Sequence, residues 1–258
     1  MYFIDVQGTL IDDADRLPVR GAVAFIEALN RAGTPYMVIT NNTKLSSDAF
    51  LEYLQGIGLA IPRTHYLDPL MMLEATLPKG SVAAYGSEPF LRVLESMGYR
   101  LDFEQPQSLL LAIKEDYDAS EYAQMIDLLL RGVPLVGMHE TTLYAKNGKR
   151  YPGVGAILKM LEFATSVPYR VVGKPSDAFY GEALKRLREQ APAASFGDVT
   201  IISDDLKGDL VGAKALGMQT VFVLSGKYTT AEEIIPHVAQ EERPDRVCDD
   251  IQAYREQL

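Results

Sequence analysis

Short apolar runs alternate along the chain with longer stretches in which apolar residues recur every three or four positions. The first run, YFIDV at residues 2–6, gives way to GAVAFIEALNRAG, whose spacing is helical and whose Gly33 provides a stop. PYMVITNN follows, with the β-branched content of a strand buried on both faces. The same alternation closes the chain as YRVVGKP, the helical SDAFYGEALKRLREQ, VTIISDD, GDLVGAKALGM and QTVFVLSG. Strands joined by helices at this spacing predict a parallel sheet covered on both faces.

Between these halves, residues 81–172 repeat the pattern on a smaller scale: SVAAYG, a helix over 88–97, SLLLAI, a helix over 120–131, then VPLVGM. Pro78-Lys79-Gly80 and Gly173 punctuate the two borders. The expected fold class is α/β, a Rossmann-like parallel-sheet core of residues 1–78 and 173–258 with a smaller α/β cap domain, 79–172, inserted in it. No fixed-period repeat is visible, which excludes a solenoid.

Composition narrows the partners. A chain of 258 residues with 47% hydrophobic and 23% charged residues has enough apolar surface for two ordinary globular domains. A net charge of −10 with no basic cluster excludes a nucleic-acid footprint. No apolar run reaches the roughly 18 residues of a membrane span, so no membrane partner is expected. The single Cys248 forms no internal disulfide and no signal-like leader precedes the first strand, so the expected location is cytoplasmic.

In a sheet of this kind, chemistry sits at the carboxyl ends of the strands. Asp5, Thr40, Lys174 and Asp204 all stand at predicted strand ends. Taken singly, each has a bland reading: an acidic residue or a threonine there is often a cap or turn, and a lysine before a proline is often a solvated loop residue. Other candidates carry less. His65, His139 and His237 lack metal-ligand spacing, Gly153-Val154-Gly155 is too short for a dinucleotide fingerprint, and Lys114 to Asp118 reads as a solvated turn.

Four elements in order change the weighting: Asp5 after the first strand, Thr40-Asn41-Asn42 after the second, Gly173-Lys174-Pro175, and SDDLKGD at residues 203–209. This set resembles the haloacid dehalogenase superfamily. VITNNT, VVGKPS, VFVLSGKY and the cap position resemble its NagD-like branch with a C2-type cap, the branch of phospholysine phosphohistidine inorganic pyrophosphate phosphatase, phosphoglycolate phosphatase and pyridoxal phosphatase. The cap stretch YPGVGAILKMLEFAT is most similar to the first of these.

The resemblance implies a hydrolase acting on a small phosphorylated molecule. Asp5 would form an aspartyl phosphate, and Mg²⁺ would be held by Asp5, Asp204 and the backbone carbonyl of Gln7, with Asp205 or Asp209 supporting that shell. Lys174, Thr40 and the backbone N–H of Asn41 would bind phosphate oxygens. It also implies an aspartate two residues after the nucleophile as acid and base, and here the residue is Gln7. A neutral amide cannot hold or give up that proton. The expectation is therefore a phosphatase slowed by Gln7; the alternative is a weakly active or inactive phosphate-binding or phosphorylatable regulator.

Substrate contacts are expected from the cap segment Met138 to Gly153, with His139, Tyr144, Lys146, Lys149 and Arg150 placed to meet an anionic substrate or to form a solvated loop. Caps of this type also allow a homodimer, as far as the resemblance goes. Tyr66, Met71 and Met72, near the border between core and cap, read as core.

Overall fold

The computed structural model describes residues 1–146 and 149–257, with Ala145 and Lys146 described by backbone alone. The chain begins with β1 (Tyr2–Ile4), α1 (Ala22–Ala32), β2 (Tyr36–Ile39), α2 (Ser47–Gly56), β3 (Tyr66–Leu67) and α3 (Pro69–Thr76). It then builds β4 (Ser81–Tyr85), α4 (Glu88–Ser96), β5 (Arg100–Leu101), β6 (Ser108–Leu111), α5 (Ala119–Leu130), β7 (Leu135–Gly137), β8 (Leu143–Lys146), β9 (Lys149–Pro152), α6 (Val154–Thr165) and β10 (Tyr169–Val171). It ends with α7 (Asp177–Gln190), β11 (Thr200–Ser203), α8 (Val211–Ala215), β12 (Gln219–Val223), β13 (Arg246–Cys248) and α9 (Ile251–Arg255).

The core sheet has the order β13-β12-β11-β1-β2-β3, with each pair of neighbouring strands parallel. Alternate residues of the strands face opposite helical layers, as the pleat requires. Ile4 and Val38 pack with Phe25, Leu54 and Tyr254 from α1, α2 and α9, whereas Phe3, Met37 and Ile39 pack with Phe179, Tyr180 and Leu187 from α7. Because β1 lies between β2 and β11, the chain leaves its carboxyl end toward two sides and opens a crevice there.

The cap has its own parallel sheet, β10-β7-β6-β4-β5, with α4 and the apolar residues Leu70 and Leu73 of α3 on one face and α5 and α6 on the other. Local signals start these helices. Ser46 accepts from the N–H of Ala49 at α2, and Asp118 and Glu121 form a reciprocal capping box at α5. Tyr66 is fully buried, and Met71 and Met72 pack half-buried against the core clusters.

Three local expectations are corrected. YRVVGKP, read with the core strands, supplies β10 at the edge of the cap sheet, because its ladder runs along β7 and continues beyond it: Val172 N–H donates to Gly137 (3.0 Å), Gly173 N–H to Met138 (2.9 Å), and Glu140 N–H to Lys174 (3.0 Å). GDLVGAKALGM is not one helix. A π-helical turn, Leu206–Leu210, precedes the short α8, with the N–H groups of Asp209 and Leu210 both donating to the Asp205 carbonyl (3.0 and 3.2 Å). The loop alternative for the cap segment gives way to the β8–β9 antiparallel hairpin, of which residues 147–148 lie outside the described residues. No helix among the described residues is long and apolar enough to cross a membrane.

Candidate active site

Asp5 follows β1, Thr40 follows β2, Asp204 follows β11 and Lys174 follows β10, so the strand ends converge on one crevice. Lys174, fully enclosed, donates to Asp5 Oδ1 at 2.5 Å and to Asp209 Oδ2 at 2.6 Å. Ser203 Oγ donates to the same Asp209 oxygen at 2.6 Å. The Lys174 backbone N–H donates to Asn41 Oδ1 at 3.0 Å, which ties the loop after β2 to the loop after β10. Thr40 Oγ1 donates to Gln7 Oε1 at 2.9 Å and accepts from the N–H of Asn42 at 3.2 Å.

A second ammonium completes the site. Lys227, just beyond β12, ion-pairs with Asp205, whose other oxygen accepts from the N–H of Gly208 at 2.9 Å. Asp205 and Asp209 thus have different tasks: Asp205 holds Lys227 and Asp209 holds Lys174. The π-turn sets this division, bringing both carboxylates into one buried cluster.

Asp204 is held differently. Its Oδ2 accepts from the backbone N–H of Lys227 at 2.8 Å, and its own N–H donates to Thr9 Oγ1 at 3.1 Å. A Cβ at Gly8 would lie 2.2 Å from that Oδ2, and one at Gly226 would lie 2.0 Å from it, so glycine is required at both walls. Gly8 also adopts a φ of +72°. Ser225 Oγ donates to the Gly8 carbonyl at 2.7 Å and locks the two walls together.

Four buried carboxylates, Asp5, Asp204, Asp205 and Asp209, face the buried ammonium of Lys174 and the partly buried one of Lys227. Burial, opposed by Lys174 and reinforced by Asp209, pushes Asp5 up to about 6. Burial also drives Asp204 well above the ordinary carboxylate range; Lys227 opposes it, but no side-chain cation pairs with Asp204 among the described residues. For Asp205, burial is outweighed by Lys227 and the Gly208 N–H, and the carboxyl stays below its ordinary value. Both lysines are held charged against burial by their carboxylates. With four carboxylates to two ammonium groups, Asp204 is the carboxyl left without a side-chain cation, and burial disfavours its charge until one is supplied. Among the described residues no group of three or more His, Cys, Asp or Glu forms a metal cage. Two neighbouring carboxylates, Asp5 and Asp204, suit a hard divalent cation that keeps its waters, such as Mg²⁺.

The crevice widens into a cleft of about 450 Å³ between core and cap. His139 and Tyr144 line it from the cap, and Asn41 and Thr43 from the core. His139 Nδ1 and Thr43 Oγ1 are buried without a hydrogen-bond partner. Burial, with Lys227 and Lys174 nearby, lowers the His139 imidazole to about 3, so the ring is neutral. Tyr144 stacks on Tyr151 with ring centroids 5.3 Å apart. Two of the expected cap cations do not face the cleft: Lys149 is exposed on the hairpin, and Arg150 turns to Glu233, with Nη2 also donating to the Lys227 carbonyl at 3.2 Å. The Lys146 side chain lies outside the described residues.

Sequence reasoning gave no role to Lys227, Ser203, Thr9 or Gly226. For Lys227 a signal was available, since it follows a strand of the same sheet just as Lys174 follows one in the cap. What the sequence did not reveal was the return of its loop onto Asp204.

Residues 2–100 match the Haloacid dehalogenase-like hydrolase family, and residues 171–254 match the HAD-hydrolase-like family. Haloacid dehalogenase-like hydrolase domain-containing protein 2 of Mus musculus is 29% identical over 232 residues, covering 89% of this chain and 86% of that protein. Phospholysine phosphohistidine inorganic pyrophosphate phosphatase of Danio rerio is 27% identical over 263 residues, covering 97% and 90%. Among solved structures, a p-nitrophenyl phosphatase from Archaeoglobus fulgidus superposes with a TM-score of 0.81 at 24% identity, covering 100% of this chain and 98% of that one. NagD from E. coli K-12 gives 0.73 at 19%, covering 97% and 96%. A glycerol phosphate phosphatase from Mycobacterium tuberculosis, in complex with magnesium, gives 0.72 at 23%, covering 98% and 75%. With one family match running from the first half of the core into the start of the cap and the other covering the second half of the core, the chain belongs to the haloacid dehalogenase-like hydrolases.

Proposed function

We propose that this protein is a Mg²⁺-dependent phosphatase of small phosphorylated molecules, working through a phosphoryl group carried on Asp5 and slowed by Gln7. The observation that carries the reading is the buried Asp5–Lys174–Asp209 bridge beside an Asp204 that lacks a cation of its own. Asp5, Asp204 and the Gln7 carbonyl would hold Mg²⁺. When bound, it neutralises charge on phosphate oxygens and on the two carboxylates.

Asp5 attacks phosphorus through the carboxylate oxygen that Lys174 does not occupy, forming an O–P bond as the bond to the leaving oxygen breaks. Lys174 and the donors of the Thr40-Asn41 loop stabilise charge on the equatorial oxygens. Water then attacks phosphorus, Asp5 leaves as carboxylate, and the water proton passes to solvent or to the released phosphate. Proton transfer to the leaving oxygen is the step without a donor, because Gln7 holds no acidic proton and its carbonyl is bonded to Thr40. That loss raises the barrier by about 3 to 5 kcal/mol. Aryl and acyl phosphates, whose leaving groups depart as stable anions, are therefore turned over in preference to alkyl phosphates.

The cleft of about 450 Å³ admits a small leaving group, for which Thr43 and His139 have hydrogen-bonding capacity in reserve. The test is release of p-nitrophenol from p-nitrophenyl phosphate with Mg²⁺, followed through the first turnover and at steady state in the unaltered protein, Gln7→Asp and Asp5→Asn. Release that depends on Asp5 and rises in Gln7→Asp is expected. No Asp5-dependent release in either of the first two would replace this reading with that of a phosphate-binding regulator.

A further inference from the structure

Arg150 of the β8–β9 hairpin reaches the loop beyond β12. Its guanidinium ion-pairs with Glu233, donates to the Lys227 carbonyl at 3.2 Å, and lies 4.8 Å above the ring of Tyr228. Glu233 is fixed in turn, accepting from the N–H groups of Thr229 (3.1 Å) and Thr230 (3.3 Å). The peptide that Arg150 grips at its carbonyl belongs to the same residue whose N–H holds Asp204 Oδ2 at 2.8 Å and whose ammonium pairs with Asp205. Gly226, one residue earlier, leaves no free space around that Asp204 oxygen.

We propose that Arg150 is a positioning residue that couples the placement of β9 to the setting of Asp204, so that the cap side chain helps to fix the acidic end of the cleft. The exposure of the pair argues against a role in stability. The side chains of Arg150 and Glu233 are 45% and 29% exposed, and exposed ion pairs contribute little to folding. A planar guanidinium that meets a carboxylate, a carbonyl and an aromatic face at once instead fixes orientation, which a lysine cannot reproduce.

The inference rests on the reading of Asp204 as a Mg²⁺ ligand, and its test needs no turnover. Mg²⁺ alone is titrated by calorimetry into the unaltered full-length protein and into Arg150→Met, Arg150→Lys and Glu233→Gln. Arg92→Met, which breaks an exposed ion pair within α4, serves as control. Loss of a residue supporting a metal ligand weakens affinity by about 10-fold at the lower end of such effects. Arg150→Met is expected to show that loss, Glu233→Gln a smaller one in the same direction, and Arg150→Lys an intermediate value, with unfolding temperatures close to that of the control. If Arg150→Met is poorly folded, Glu233→Gln alone decides. Equal Mg²⁺ affinity in all five proteins would overturn the coupling and leave the phosphatase reading intact. Absence of Mg²⁺ binding to the unaltered protein would overturn the metal reading and the coupling together.

Discussion

The two flanks of Asp5 are built on opposite principles. Toward β11 and β12 the side chains are charged, buried and paired: Asp209 with Lys174, and Asp205 with Lys227. Toward β2 they are neutral, Gln7 bonded to Thr40 and Asn41 to the Lys174 backbone. Handling of charge and handling of protons are thus separate parts of this site. The first stands complete on one side, while an amide occupies the other.

Variants can break or sharpen that contrast. Lys174→Met should have the largest effect, leaving Asp5 and Asp209 buried without their shared cation. A loss of stability of about 3 to 5 kcal/mol in urea unfolding is expected, with p-nitrophenyl phosphate hydrolysis abolished. Gln7→Asp, which adds a proton carrier to the neutral flank, should raise kcat by about 10²- to 10⁴-fold, with the greater gain on alkyl phosphates. Equal gains on aryl and alkyl substrates would show that leaving-group protonation is not what Gln7 limits.

Lys227→Met strands only Asp205, and should cost about 3 kcal/mol of stability by the same measurement. The smallest effect is in the pH dependence of His139→Gln. Unfolded, the imidazole protonates near 6.5; folded, it stays neutral until about 3. The unfolded chain therefore binds the extra proton, so the stability His139 contributes is full above pH 6.5 and declines as pH falls through it. At 1.36 kcal/mol per pH unit, the variant should lose about 2 kcal/mol less than the unaltered protein between pH 7 and pH 5.

Much of this architecture was legible in the chain. Asp5, Thr40 and Asp204 could be placed because apolar strands of a parallel sheet end where the crevice opens. The partition between Asp205 and Asp209 was not legible, since it depends on a π-turn that regular helical spacing does not predict. Arg150 stayed open between substrate contact and solvated loop for a related reason: nothing in the segment indicates that hairpin pairing will aim the side chain toward Glu233. The hold of Lys227 on Asp204 was not legible because it is made by a backbone N–H, which every residue except proline carries.

The ladder between β7 and β10 continues past both strands, as far as the Glu140 N–H on the Lys174 carbonyl. The lysine that bridges the core carboxylates is therefore registered against the cap by main-chain bonds. Inserted domains invite exchange, and a graft of this cap onto a related core would be the natural way to transfer specificity. Here such a graft would bring the registration of Lys174 with it, so that recombination at residue 173 resets the chemistry as well as the selectivity.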